Sequence, residues 1–290
     1  MKFILLVLCS VTLIAQNVKI EKIPLEGRYY YPKVVNDSLL ILTKEDFSGL
    51  YLYNTIKNEI AKISDERGAG YGSVFSDDEI YYRPYEIKQG RKYFSLKKFN
   101  FYSKENTTIQ TGERYISLPV PEKDGIIYTT ERNNWVVKQN EIFVTNEDSK
   151  VWLHEGNSKK LFEPLGEGVY VWPELSPDKK KIAFTFGSKG SFIFDLNGKL
   201  LIHLGKEAHY PKWSPDGKFI VYMTDKDDGH RIISSDIVMI EVATGKKIEV
   251  SKTSETIEMY PCWNKLGDQI YFNDLDGNIY RADIFNGRGE

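Results

Sequence analysis

A strand–turn–strand unit recurs along this chain and narrows its possible folds more than any other feature. The clearest copy runs from His209 to Thr224. It holds Tyr210-Pro211-Lys212-Trp213, the turn Pro215-Asp216-Gly217, and the run Phe219-Ile220-Val221-Tyr222. Proline presets the turn's first backbone angle and glycine accepts a positive one. The flanking aromatic and β-branched residues are strand formers. Tyr260-Pro261-Cys262-Trp263 with Ile270-Tyr271-Phe272 repeats the unit downstream, and Trp172-Pro173-Glu174 with Pro177-Asp178 and Ile182-Ala183-Phe184 repeats it upstream.

Weaker copies extend the series. Tyr29-Tyr30-Tyr31-Pro32 opens a first unit, with further strands over Leu39 to Thr43, Gly49 to Asn54 and Glu59 to Ile63. Tyr71-Gly72-Ser73 opens a second. The third has two possible starts, Ser117 and Trp135, too close together for both to open four-stranded units. Trp135 is preferred, because Lys150 to His154 and Lys160 to Phe162 then complete the blade and Ser117 belongs to an inserted hairpin. The positions equivalent to Pro32 fall at 32, 73, 133 (or 117), 173, 211 and 261. Six units of this length match four-stranded propeller blades. The expected fold is therefore all-β: a single six-bladed β-propeller of antiparallel blades spanning 16–290. The last unit has only three strands, while Val18 to Ile23 is a spare alternating strand at the other terminus. Pairing the two closes the ring and covers an edge.

The run Tyr210 to Lys218 followed by Ile220-Val221-Tyr222 resembles the TolB-type, WD-like β-propeller repeat. The resemblance covers about 168–284 well and the first three units weakly. It implies a six-bladed ring of exported or periplasmic type and says little about activity, since the fold hosts many functions. TolB itself is not expected, because no separate domain precedes the repeats. Oligogalacturonate lyases, which share the repeat, place several metal-binding histidines near the position of His209. The equivalent positions here are Tyr30, Tyr71, Val171 and Met259, so no metal and no cofactor are expected.

The first residues read as a targeting segment. Lys2 precedes an apolar run from Phe3 to Ile14, and Ala15-Gln16 offers a cleavage point. The run is too short to span a bilayer, so 1–15 is expected to be a signal peptide rather than an anchor, giving a periplasmic or secreted product. Leu8 is too bulky for lipoprotein cleavage before Cys9. Cys262 is then the one mature cysteine, read as a core thiol. A net charge of −2 with no basic stripe argues against nucleic acid.

No nucleophile elbow, zinc-helix or phosphate-loop motif occurs. Asp274 to Asn278 reads as a hairpin turn rather than a calcium loop, and Asp225, Asp227 and Asp228 as a solvated loop. What remains is a ring of residues just before each marker. The candidate binding residues are Arg28, Tyr30, Tyr71, Arg114, Tyr115, Tyr170, His209 and Glu258, with Tyr31, Trp172, Tyr210 and Tyr260 beside them. Such a mouth suits a peptide or a sugar, although the tyrosines also suit wedging between blades. The chain is therefore expected to be a monomeric, non-catalytic binding or scaffold propeller with an envelope protein or peptide as partner. The alternative is a glycan-binding or glycan-degrading propeller.

Overall fold

A computed structural model describes residues 18–284 except 77, 123–124, 131–141, 157 and 254. They form six blades arranged in a ring, as the repeat spacing requires. Blades four and five show the plan: Tyr170–Leu175, Lys181–Phe186, Ser191–Asp195 and Leu200–Gly205, then Ala208–Trp213, Phe219–Asp227, Ile232–Glu241 and Lys247–Glu249, each set antiparallel. The first strand of each set lies innermost. Blade one (Tyr30–Asn36 to Glu59–Ser64) follows the same order, and blade two adds a short strand, Tyr85–Lys88, that pairs with Arg91–Asn100. Blade six is completed by Val18–Lys22, which pairs antiparallel with Ile279–Ile284 from Val18↔Ile284 to Lys22↔Tyr280. The terminal strand thus closes the ring as the three-stranded sixth unit predicts.

The recurring motif works through its polar side chains. In blade five Ser214 Oγ accepts from the Phe219 amide at 2.9 Å and donates to Asp216 Oδ1 at 2.7 Å, while Gly217 sits at φ +69°. In blade six Asn264 Oδ1 accepts from the Gly267, Asp268 and Gln269 amides. These contacts satisfy turn amides that the ladder leaves open. The motif tryptophans link neighbouring blades. Trp213 Nε1 donates to the Glu174 carbonyl (3.3 Å) and Trp263 Nε1 to the Lys212 carbonyl (3.1 Å).

Apolar residues fill the seams between blades. Val221 and Met223 of blade five pack with Ile270 and Phe272 of blade six, and Leu40 and Leu42 of blade one pack with Tyr271, Ile279 and Ile23 across the closure. Equivalent clusters join blades one to two, three to four and four to five.

The third blade departs from the plan. Its outer part is a three-stranded sheet, Ile142–Glu147, Lys150–Glu155 and Ser158–Leu161. Its inner part is a separate ribbon, Val120–Glu122 paired with Gly125–Ile127, preceded by the bridge Ile116↔Thr130. A small apolar cluster of Ile127, Phe143 and Val120 joins the two parts. The preferred start at Trp135 lies outside the described residues. Among those described, Ser117 to Pro121 line the lumen beside blade two.

Candidate functional site

Four inner strands share one irregularity. Pairing slips by one residue between Tyr30 and Lys33, Val171 and Glu174, His209 and Lys212, and Met259 and Cys262. In each, the residue before the marker proline adopts a left-handed backbone: Tyr31 (φ +53°), Trp172 (+53°), Tyr210 (+56°) and Tyr260 (+56°). A left-handed bulky residue costs roughly 1–2 kcal/mol, so its repetition in four blades needs a compensating gain. The bulge re-aims the ring. The proline that follows has no N–H to leave unpaired.

The re-aimed rings meet. Trp172 contacts Tyr210 (centroids 5.6 Å apart), Tyr210 contacts Tyr260 (5.2 Å), and Tyr260 contacts Tyr31 (4.2 Å). Tyr31 stacks on Phe47 (4.2 Å), which meets Tyr71 edge-on (5.0 Å). This arc runs from blade four through blades five, six and one to blade two. Blade two has Gly72 (φ +66°) where the others carry a ring, and a Cβ there would lie 2.2 Å from Leu118. A substituent at this position would displace the Leu118 side chain of the third blade's lumen segment. Burial pushes the Tyr31, Tyr210 and Tyr260 phenols above their ordinary pKa, so the arc is neutral.

Two residues past each ring, strand alternation points the next side chain into the lumen. These residues are Lys33, Glu174, Lys212 and Cys262. Lys212 forms an ion pair with Glu174, and its ammonium lies 4.8 Å from the Tyr210 ring centroid. The pair keeps 25% and 29% exposure, so the lumen reaches it although protein encloses its other sides. Burial opposes the Lys212 charge, but Glu174 and Tyr210 outweigh it and hold the ammonium above its ordinary pKa. Lys33 has no carboxylate partner among the described residues. Its Nζ donates to the Ser73 carbonyl at 2.7 Å and approaches Ser73 Oγ at 3.4 Å. Burial, reinforced by Lys212, pushes the Lys33 ammonium down to about 7. Burial pushes the Cys262 thiol up to about 12, so it is a protonated wall residue. A cavity of about 520 Å³ connects this level to the arc, bordered by Tyr71, Trp172, Lys33, Glu174 and Lys212, and extends between the two parts of blade three along Val120 and Phe143.

The eight sequence candidates separate in the structure. Tyr71 stands in the arc, 46% exposed. Tyr30 and Tyr170 are buried, with hydroxyls donating to the Leu275 carbonyl (3.4 Å) and the Gly166 carbonyl (2.8 Å). Glu258 is buried and accepts from the Thr253 and Thr256 hydroxyls; burial raises its pKa. His209 pairs with Asp225. Arg28 is exposed and donates to the Asp276 carbonyl at 2.7 Å, and Arg114 is exposed and donates to the Lys92 carbonyl at 2.5 Å. Tyr115 is half-buried near Arg83 and Thr129. These groups do not converge on one point. The aromatic ring itself both packs and lines: its members touch one another, and Tyr71 and Trp172 border the cavity. Sequence reasoning missed Lys33, Glu174 and Lys212, although each directly follows a marker proline.

Asp274 accepts from the Asn278 amide and side chain and from the Tyr280 hydroxyl, which fixes its hairpin. Asp228 likewise accepts from the His230 and Arg231 amides of its own loop. Among the described residues no three His, Cys, Asp or Glu side chains converge as a metal centre.

No protein-family profile matches the chain, and neither does any curated protein. Solved structures do. The β-propeller domain of Cps50 (Swd1) from Myceliophteria thermophila aligns with TM-score 0.61 at 8% identity, over 92% of this chain and 100% of that one. An oligogalacturonate lyase from Vibrio parahaemolyticus aligns with TM-score 0.52 at 11% identity, over 96% and 99%. TolB from Acinetobacter baumannii aligns with TM-score 0.51 at 17% identity, over 91% of this chain and 65% of TolB. The likeness is one of fold. Among the described residues no helix is long and apolar enough to cross a membrane.

Proposed function

We propose that the protein is an exported TolB-type propeller that binds a peptide or protein segment of the cell envelope in its central channel. The observation that carries this reading is the arc of six touching aromatic rings above a cavity of about 520 Å³. Cavities of roughly 300–1,000 Å³ lined by rings and a few polar groups are typical of binding sites. The scattered rim ionisables support binding over turnover, since catalysis needs titratable groups converging on one reacting atom. In this reading residues 1–15 are a removable signal peptide and the mature chain works as a monomer in the periplasm or outside the cell. The test is affinity capture from envelope extract with the wild type and with Tyr260→Ala. A partner retained by the wild type and lost by the variant is the expected result. Equal capture by both, or measured turnover of a defined substrate, overturns it.

A second reading, glycan recognition, has one observation in its favour: Trp172 and Tyr71 keep 37% and 46% of their surface open, as sugar-stacking rings do. An oligosaccharide panel that raises the melting temperature of the wild type, but not of Trp172→Ala, would establish it over the peptide reading.

A further inference from the structure

The charges bordering the channel do not balance. Lys33, Lys179 and Lys212 line the cavity together with one carboxylate, Glu174, which Lys212 already engages. Among the described residues Lys33 donates to the neutral oxygens of Ser73 alone. A part-buried ammonium without an ion-pair partner is costly, and a partner anion relieves that cost. Lys212 cannot supply it, being a cation, and Cys262 stays a neutral thiol. Among the described residues Glu174 is the one carboxylate bordering the cavity. An anion entering the cavity would supply the negative charge that these described residues lack. The arc above is neutral and aromatic, which suits an apolar body behind a charged head.

We propose that the channel receives a peptide carboxylate, with Lys33 pairing to it and the arc packing the adjoining side chain. This rests on the peptide-binding reading above and adds the chemistry of recognition. Two sources share that chemistry, a chain terminus and an Asp or Glu side chain. Burial and Lys212 lower the proton affinity of Lys33; a carboxylate beside it favours the charged form, so pairing and protonation reinforce each other.

Equilibrium dialysis of the full chain against three acetylated random tetrapeptide mixtures tests this, with retained peptide read by mass spectrometry. The first mixture lacks Asp and Glu and has free C-termini, the second is the same set amidated, and the third is amidated but contains Asp and Glu. The expected result is retention of the first or third mixture at least tenfold above the second, the retained one identifying the source. Lys33→Gln should reduce that retention at least tenfold and Lys33→Arg should keep most of it. Equal retention of all three mixtures leaves peptide binding standing and overturns the carboxylate. Retention of none overturns both. If Lys33→Gln does not fold, the wild type with ¹³C-methylated lysines gives the answer by NMR: a channel lysine signal must shift with the retained mixture, and an unmoved spectrum overturns the proposal.

Discussion

Lys33 stands in the lumen wall with the Ser73 carbonyl and hydroxyl as its partners among the described residues, and that isolation is measurable without any ligand. Its ammonium titrates at an ordinary 10.5 in the unfolded chain and at about 7 in the folded one. Between those values the unfolded chain holds the extra proton, so stability rises with pH. Below about 7 both states are charged and the folded state carries the full penalty of burial. Cys262 acts oppositely, because its thiol ionises near 9 when unfolded and about 12 when folded, so it lowers stability above pH 9. The informative window is therefore pH 7 to 9. Urea midpoints of the wild type should climb across it, and those of Lys33→Met should climb less. Parallel slopes would mean that Lys33 is not buried as a lone cation.

At the scale of the strand and its turn, the motif explains both what sequence reading delivers and where it stops. Ser214 and Gly217 occupy the places that Asn264 and Gly267 occupy one blade later, so the turns and strand boundaries follow from residue type. Blade four breaks the pattern at Lys179, which is left-handed (φ +55°) where blades five and six have Gly217 (+69°) and Gly267 (+74°). Relief of a left-handed side chain is worth roughly 1–2 kcal/mol, while glycine's extra unfolded-state freedom takes back about 0.5–1 kcal/mol. Lys179→Gly should therefore stabilise the protein by about 0.5–1 kcal/mol in a denaturant titration, and a loss of stability would show that the lysine makes a compensating contact. The site was less legible for a reason of parity. Side chains alternate along a strand, and one extra residue reverses which of two neighbours faces the lumen. Tyr30 and Tyr31 cannot be told apart by composition, and the bulge between Tyr30 and Lys33 gives the lumen to the second. The same slip selects Trp172 over Val171 and Tyr210 over His209. The third blade was less legible for another reason: its lumen segment, Ser117 to Pro121, lacks the aromatic that marks the others, although Asp124-Gly125 follows it in the sequence.

For the molecule as a whole, closure is the remaining question, and it rests on a short segment. Val18–Lys22 supplies the outer strand of blade six, Glu21 pairs with Arg281 at 2.8 Å, and the Ile23 amide donates to the Ile279 carbonyl at 2.8 Å. Ile23 also joins Ile279 to Leu40 and Leu42 of blade one, so this one segment ties the last blade to the first. Without it, Ile279–Ile284 becomes an open edge with apolar residues behind it, a template for pairing with another chain. Burial of the Ile23 side chain alone contributes about 2 kcal/mol. For a domain this large each kcal/mol moves the melting temperature by roughly 2–4 °C. A chain beginning at residue 17 should therefore melt as a cooperative monomer. One beginning at residue 24 should melt at least about 5 °C lower and associate as its concentration is raised. Light scattering together with calorimetry on the two truncations decides the matter. If both remain monomeric and melt together, the ring is held by its apolar seams, and the terminal strand is a cover rather than a clasp.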